Sequence, residues 1–166
     1  MASIEIRTNA GAGIGEAVSR LLRVQSLAEP TPEDMLELGN IVWEANQDRT
    51  ARGVGADGQQ FDEYSRNYAK YKAKHGGSTA VVDLMGVGRG DGHMLVEMEV
   101  WESAKDEVKI GFKDKASLAA RKALGHIRGV VAKNLPVRRF LGLTADDRAA
   151  VIARRVEQIE DKLKGF

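Results

Sequence analysis

The stretch Met94-Leu-Val-Glu-Met-Glu-Val-Trp-Glu-Ser-Ala-Lys-Asp-Glu-Val-Lys-Ile-Gly-Phe112 carries the β signal of this chain. Met94, Val96, Met98 and Val100 alternate with Glu97 and Glu99, and Val108, Ile110 and Phe112 alternate with Glu107 and Lys109. Period-two alternation on both sides of a short polar break around Ser103–Asp106 predicts an antiparallel hairpin. A second, weaker strand signal lies at Ile4 and Ile6. The other strongly periodic segments are helical, so the expected class is α+β. A small antiparallel sheet packs against long N-terminal and C-terminal helices.

Upstream of the hairpin, Asn9–Gly15 reads as a turn, followed by a helix from about Ile14 to Ala28 and a stop at Glu29-Pro30. Thr31-Pro32-Glu33-Asp34 is a strong start signal: a hydroxyl cap, proline at the first helical position and acids at the positive end of the dipole. It predicts a helix to about Arg52 with a main stripe of Met35, Leu38, Ile41, Val42 and Ala45. Leu36 and Trp43 form a second stripe one heptad apart, which an isolated monomer does not need. They are therefore candidate subunit-interface residues. The competing arrangement sandwiches this helix in its own domain, between the helix at 14–28 and the sheet. Tyr64, Tyr68 and Tyr71 share a helical face within 61–75, where the tyrosines are expected to pack and the lysines to face water.

Downstream, residues 115–124 read as a helix and Pro136–Leu143 as extended chain. Thr144-Ala-Asp-Asp147 repeats the capping pattern of Thr31. Ala145, Ala149, Ile152, Val156, Ile159 and Leu163 then form a seam of period 3.5, expected to face the core. The organisation is one domain over residues 1–166, with mobile glycine-rich loops near 53–60 and 86–93.

The chain has 166 residues, 43% hydrophobic and 30% charged, and no cysteine, which excludes disulfides, thiolate metal sites and a cysteine nucleophile. No apolar run approaches the roughly 20 residues that span a bilayer, and Met1–Arg7 lacks a signal-peptide pattern, so the cytoplasm is the expected place of synthesis and assembly. Charge is uneven: residues 1–120 hold 14 Lys/Arg against 19 Asp/Glu, and residues 121–166 hold 11 against 5. An acidic body with a basic end suits head-to-tail contacts between copies. It also suits nucleic acid bound by the basic C-terminal third.

The motifs with chemical meaning are incomplete. Gly11-Ala-Gly-Ile-Gly15 has Glu16 where a dinucleotide fingerprint needs its last glycine. Gly86-Val-Gly-Arg-Gly-Asp-Gly92 lacks the lysine and hydroxyl of a phosphate loop. His75, His93 and His126 stand without metal-ligand spacing, and the paired acids at 33–34 and 146–147 sit at helix starts. The expectation is a non-enzyme without metal or cofactor. Arg138 and Arg139, pointing to opposite faces of extended chain, are expected in protein contacts and complete the set of candidate interface residues.

Asp57-Gly58, Phe61, Tyr64-Ser65, Tyr68-Ala-Lys70 and Lys72, then Val82-Asp83-Leu84, Met94-Leu95 and Lys109-Ile-Gly-Phe112, occur in an order that resembles the bacteriophage virion-morphogenesis and tail-completion proteins. Pro136-Val-Arg138-Arg-Phe140-Leu-Gly-Leu-Thr-Ala-Asp-Asp147, followed by a terminal helix, looks like the most recognisable element of that family. The resemblance covers residues 57–164. It implies a structural protein of the phage neck or tail end, a tail-completion or tail-terminator ring, often six-fold, that caps the tail tube and presents a docking surface to the head. The implied partners are other copies of itself and the tail-tube and head-connector proteins. A head-closure protein of the same neck is the near alternative.

Overall fold

Thr31 opens the helix that carries the hairpin and the C-terminal helix. The computed structural model describes residues 10–82, 84, 94–95, 97–104, 106–130 and 136–164. Within them the elements run α1 (Ala10–Ala28), α2 (Pro32–Ala51), α3 (Arg66–Lys74), β1 (Glu99–Ala104), β2 (Glu107–Gly111), α4 (Leu118–Arg128) and α5 (Ala145–Lys164). The fold is a small α+β fold with a two-stranded antiparallel sheet among the described residues.

The expected cap is complete. The Thr31 hydroxyl accepts from the Asp34 amide at 3.1 Å, and the Asp34 carboxylate accepts from the Thr31 amide at 2.9 Å. Thr144 and Asp147 repeat the same reciprocal pair at the start of α5, at 3.1 and 2.9 Å. The hairpin pairs Val100 with Ile110 and Trp101 with Lys109, with an irregularity between Glu102 and Ala104. Its first strand begins at Glu99 rather than Met94, because Met94 and Leu95 are consecutive and both buried, which one-sided strand alternation does not allow.

The hairpin packs on α2, α2 also packs on α5, and α5 meets the end of α1 beside that contact. At 100° per residue Leu36, Gly39 and Trp43 form one line along α2, and this line faces the hairpin. A Cβ at Gly39 would stand 2.6 Å from Val100 Cγ1 and 2.8 Å from Val108 Cγ2, so only glycine admits the strands this closely. Another side of α2 meets α5, which takes the place that the sandwich arrangement gave to the helix at 14–28. The core joins Leu84, Met94, Leu95, Met98, Ala123 and Phe140, with Trp43, Phe61, Ile110 and Phe112 packed against it.

Several expectations change. The seam of α5 does not face the core: Ala149, Ile152, Val156 and Leu163 are exposed, and the side of α5 that meets α2 is lined by Asp147, Arg154, Arg155 and Gln158. Gly11, Gly13 and Gly15 lie inside α1, so they form no turn. The stretch 53–60 is not an open loop. Gly55 N donates to Gln59 O at 2.8 Å, Phe61 N to Gly53 O at 2.8 Å and Ala56 N to Arg139 O at 2.6 Å. Gly53 and Gly58 take positive φ (75° and 76°) to make this closed turn. Lys72 is buried rather than solvated, its ammonium 3.1 Å from the Tyr64 hydroxyl and 4.8 Å from that ring's centre. The expected strand at Ile4 and Ile6 and the loop at 86–93 lie outside the described residues.

Candidate functional site

The segment from Pro136 to Thr144 forms neither helix nor strand, so its backbone polar groups must find partners elsewhere. Ala56 N, His126 O, the Asn46 side-chain amide and Arg49 supply them, while the Arg138 guanidinium ties the segment to the carbonyls of residues 62–63. Arg138, 3% exposed, donates from Nη2 to the carbonyls of Asp62 and Glu63 at 2.9 and 3.2 Å and lies 5.9 Å from the Tyr64 ring centre. Its Nη1 is 3.2 Å from His126 Nδ1, and its amide donates to His126 O at 2.7 Å. A guanidinium has no acceptor, so Nδ1 must accept and the imidazole must be neutral. Burial first, then the charges of Arg138 and Lys122, push the His126 pKa down to about 4, in keeping with that tautomer.

Arg49 holds the other end. Its Nη1 donates to both Asp147 carboxylate oxygens at 2.8 and 2.7 Å, and its Nη2 to Asn46 Oδ1 and Gly142 O at 3.0 Å each. Asn46 Oδ1 also accepts from the Gly142 amide at 3.0 Å. Burial works to raise the Asp147 carboxyl, but the Thr144 backbone and hydroxyl and the Arg49 charge outweigh it and hold it below the ordinary value.

These anchors account for Phe140-Leu-Gly-Leu143 residue by residue. Phe140 is fully enclosed in the core, and Leu141 packs against that core from its edge. Gly142 passes so near Ala56 that a Cβ would fall 2.5 Å from the alanine's own. Leu143 points outward with Val137 and Arg139. Asp57, Ile127, Arg139, Leu141 and Leu143 line a shallow depression of about 270 Å³.

The four candidate interface residues therefore separate. Trp43 packs on the core of its own chain, and Leu36 lies half-buried on the same hairpin-facing line, so this second stripe already has an intrachain partner. Arg138 is enclosed by its own chain. Arg139 alone offers its side chain outward from a surface with apolar neighbours. The alternation of extended chain predicted one arginine in and one out, but not the carbonyl partners of the buried one.

The basic third is also partly engaged internally. Arg154 meets Glu37 at 2.8 Å, Arg155 meets Asp34 at 3.1 Å, and Lys162 pairs with the same Asp34 carboxylate. Sequence reasoning read the charge asymmetry as intermolecular and missed these pairs, although acids at the start of one helix and cations late in another were visible. Among the described residues no cluster of histidine and carboxylate side chains is arranged to hold a metal, and no helix is long and apolar enough to cross a membrane. No protein-family model, curated protein or solved structure matches the chain.

Proposed function

We propose that this chain is a structural protein of the neck or tail end of a tailed phage or prophage, a tail-completion or tail-terminator subunit that assembles into a ring. The observation that supports the reading most is the segment Pro136–Asp147. The residues that carry the resemblance are also those with defined positional roles: Arg138 and Asp147 anchor it, Phe140 roots it, and Gly142 permits the close approach to Ala56. A segment fixed so firmly at both ends presents Val137, Arg139 and Leu143 as a rigid surface for a neighbouring protein.

In this reading the chain acts by binding, without catalysis or cofactor, and ends in the virion after assembly in the host cytoplasm. A head-closure subunit would use the same kind of surface. Nucleic-acid binding by residues 121–166 is less well supported, because Arg138, Arg154, Arg155 and Lys162 already hold internal partners. Negative-stain images and solution mass test the proposal. A closed ring with a central hole is expected, six-fold by the resemblance. A monomer that retards DNA with steep salt dependence would overturn it.

A further inference from the structure

Two helical stripes of this chain are apolar and uncovered. On α1, Val18, Leu21, Leu22 and Val24 are 41–69% exposed. They gather on one side of the helix at 100° per residue, with Glu16, Ser19 and Arg23 on the other. On α5, Ile152, Val156 and Leu163 are 41–63% exposed and continue the heptad seam through exposed Ala149 and half-buried Ile159. The attachment of α5 is ionic and lies on its other side, through Arg154, Arg155 and Gln158 to Asp34 and Glu37. The end of α1 is held by its backbone: Arg155 donates to the Ala28 carbonyl, and Lys162 to that of Glu29 at 3.3 Å.

We propose that the apolar face of α1 in one copy seats on the α5 seam of a second copy, in a head-to-tail contact that repeats from subunit to subunit. Three observations choose this occupant. A seam of period 3.5 is shaped to receive another helix, and α1 is long enough: 19 residues span about 28 Å, against about 21 Å from Ala149 to Leu163. The outer flank of the seam carries exposed Asp146 and Glu160, and Arg20, whose solvent-exposed pair with Glu16 in its own helix is a weak one, borders the α1 stripe and can turn to them. Pairing two seams with each other would leave α1 uncovered, whereas the head-to-tail arrangement covers both stripes.

The area is sufficient. The two stripes together expose on the order of 600 Å² of apolar surface, and with a polar rim of ordinary proportion the contact reaches about 1,100 Å², above the size of most lattice contacts. Each subunit has one stripe of each kind, so the contact propagates and closes where the rotation permits. The inference does not depend on the phage reading. A head-to-tail oligomer that forms no ring would retain this contact and overturn that reading.

The test uses two double variants of the full chain, Leu21→Glu/Leu22→Glu and Ile152→Glu/Val156→Glu. All four sites are exposed, so circular dichroism should show native helix content in both. Sedimentation at about 50 μM should find the unaltered chain larger than a monomer and each variant monomeric, with association weakened at least ~100-fold. Mixing the two variants should restore a dimer, since one supplies an intact α1 and the other an intact seam. Three results would overturn the proposal: a monomeric unaltered chain, a variant that still assembles alone, or a mixture that remains monomeric. An α1 variant that still assembles would point instead to seam-to-seam pairing.

Discussion

Toward the hairpin, α2 presents Leu36, Gly39 and Trp43; toward α5 it presents Asp34, Glu37 and Arg49. The first side works by close approach and apolar area, which is strong but poor in direction. The second works by hydrogen-bonded charge, which is directional. Asp34 at the start of α2 takes Arg155 and Lys162 from the later part of α5, and Asp147 at the start of α5 takes Arg49 from the last turn of α2. Two capping acids, each claimed by the other helix, form a clasp that sets the pair antiparallel and fixes its axial register. The difference teaches that area holds the hairpin to α2, while charge decides which way α5 runs.

The largest effect should come from the apolar side. Phe140→Ala removes a fully buried ring and should cost about 3–5 kcal/mol in denaturant unfolding; a loss below 1 kcal/mol would mean the core does not centre there. On the ionic side, Arg49→Ala leaves Asp147 buried without its cation and should cost about 3 kcal/mol. The double change Arg49→Met with Asp147→Asn should cost less than the sum of the single ones, because asparagine can still cap α5. A double-mutant cycle reads this coupling directly, and strict additivity would contradict the clasp.

Acid should separate the ionic side of α2 from the region of α4 around His126. His126 binds its proton at about 4 in the folded chain and near 6.5 in the unfolded one. Over that window the unfolded state holds more protons, so stability falls as pH drops from 6.5 toward 4, by a few kcal/mol at most. His126→Gln should flatten that slope. At Asp34, burial raises the carboxyl, but Lys162, the Thr31 backbone and Arg155 overcome it, so its folded pKa lies below 3.8, as does that of Asp147. Their stabilisation is present above 3.8 and is lost as pH falls through the lower folded values. The clasp should therefore outlast the His126 region during acid titration, with hydrogen exchange as the readout. The smallest effect is expected at the exposed Lys113–Glu99 pair, where Lys113→Ala should change stability by less than ~0.5 kcal/mol.

Local chemistry was legible in the sequence, and choice of partner was not. Both capping boxes, the hairpin and the helix at 32–51 depend on neighbours within a few residues, and each was readable. The α5 seam shows where reading stopped. Its period identifies one face of a helix, but not whether the core or the solvent side receives that face. The opposite face buries because Arg154, Arg155 and Gln158 find acids more than 115 residues away. Leu36 and Trp43 lie on the line that faces the hairpin, and periodicity alone does not say how many sides of a helix its own domain covers. Lys72 was misread because a long aliphatic stem can be enclosed while its ammonium meets an aromatic hydroxyl.

The separation of the clasped residues also sets an order of assembly. Asp34 and Lys162 are 128 positions apart, and Arg49 and Asp147 are 98 apart. At roughly 5–20 residues per second on a ribosome, α2 waits about 6–25 s for the end of α5 to be made, and the hairpin is made well before that. During the wait the unfinished side of α2 is the charged one, which water solvates well. The division of chemistry between the two sides thus puts apolar closure early and ionic closure last, so the nascent chain need not hold its sticky surface open while the C-terminal helix is synthesised.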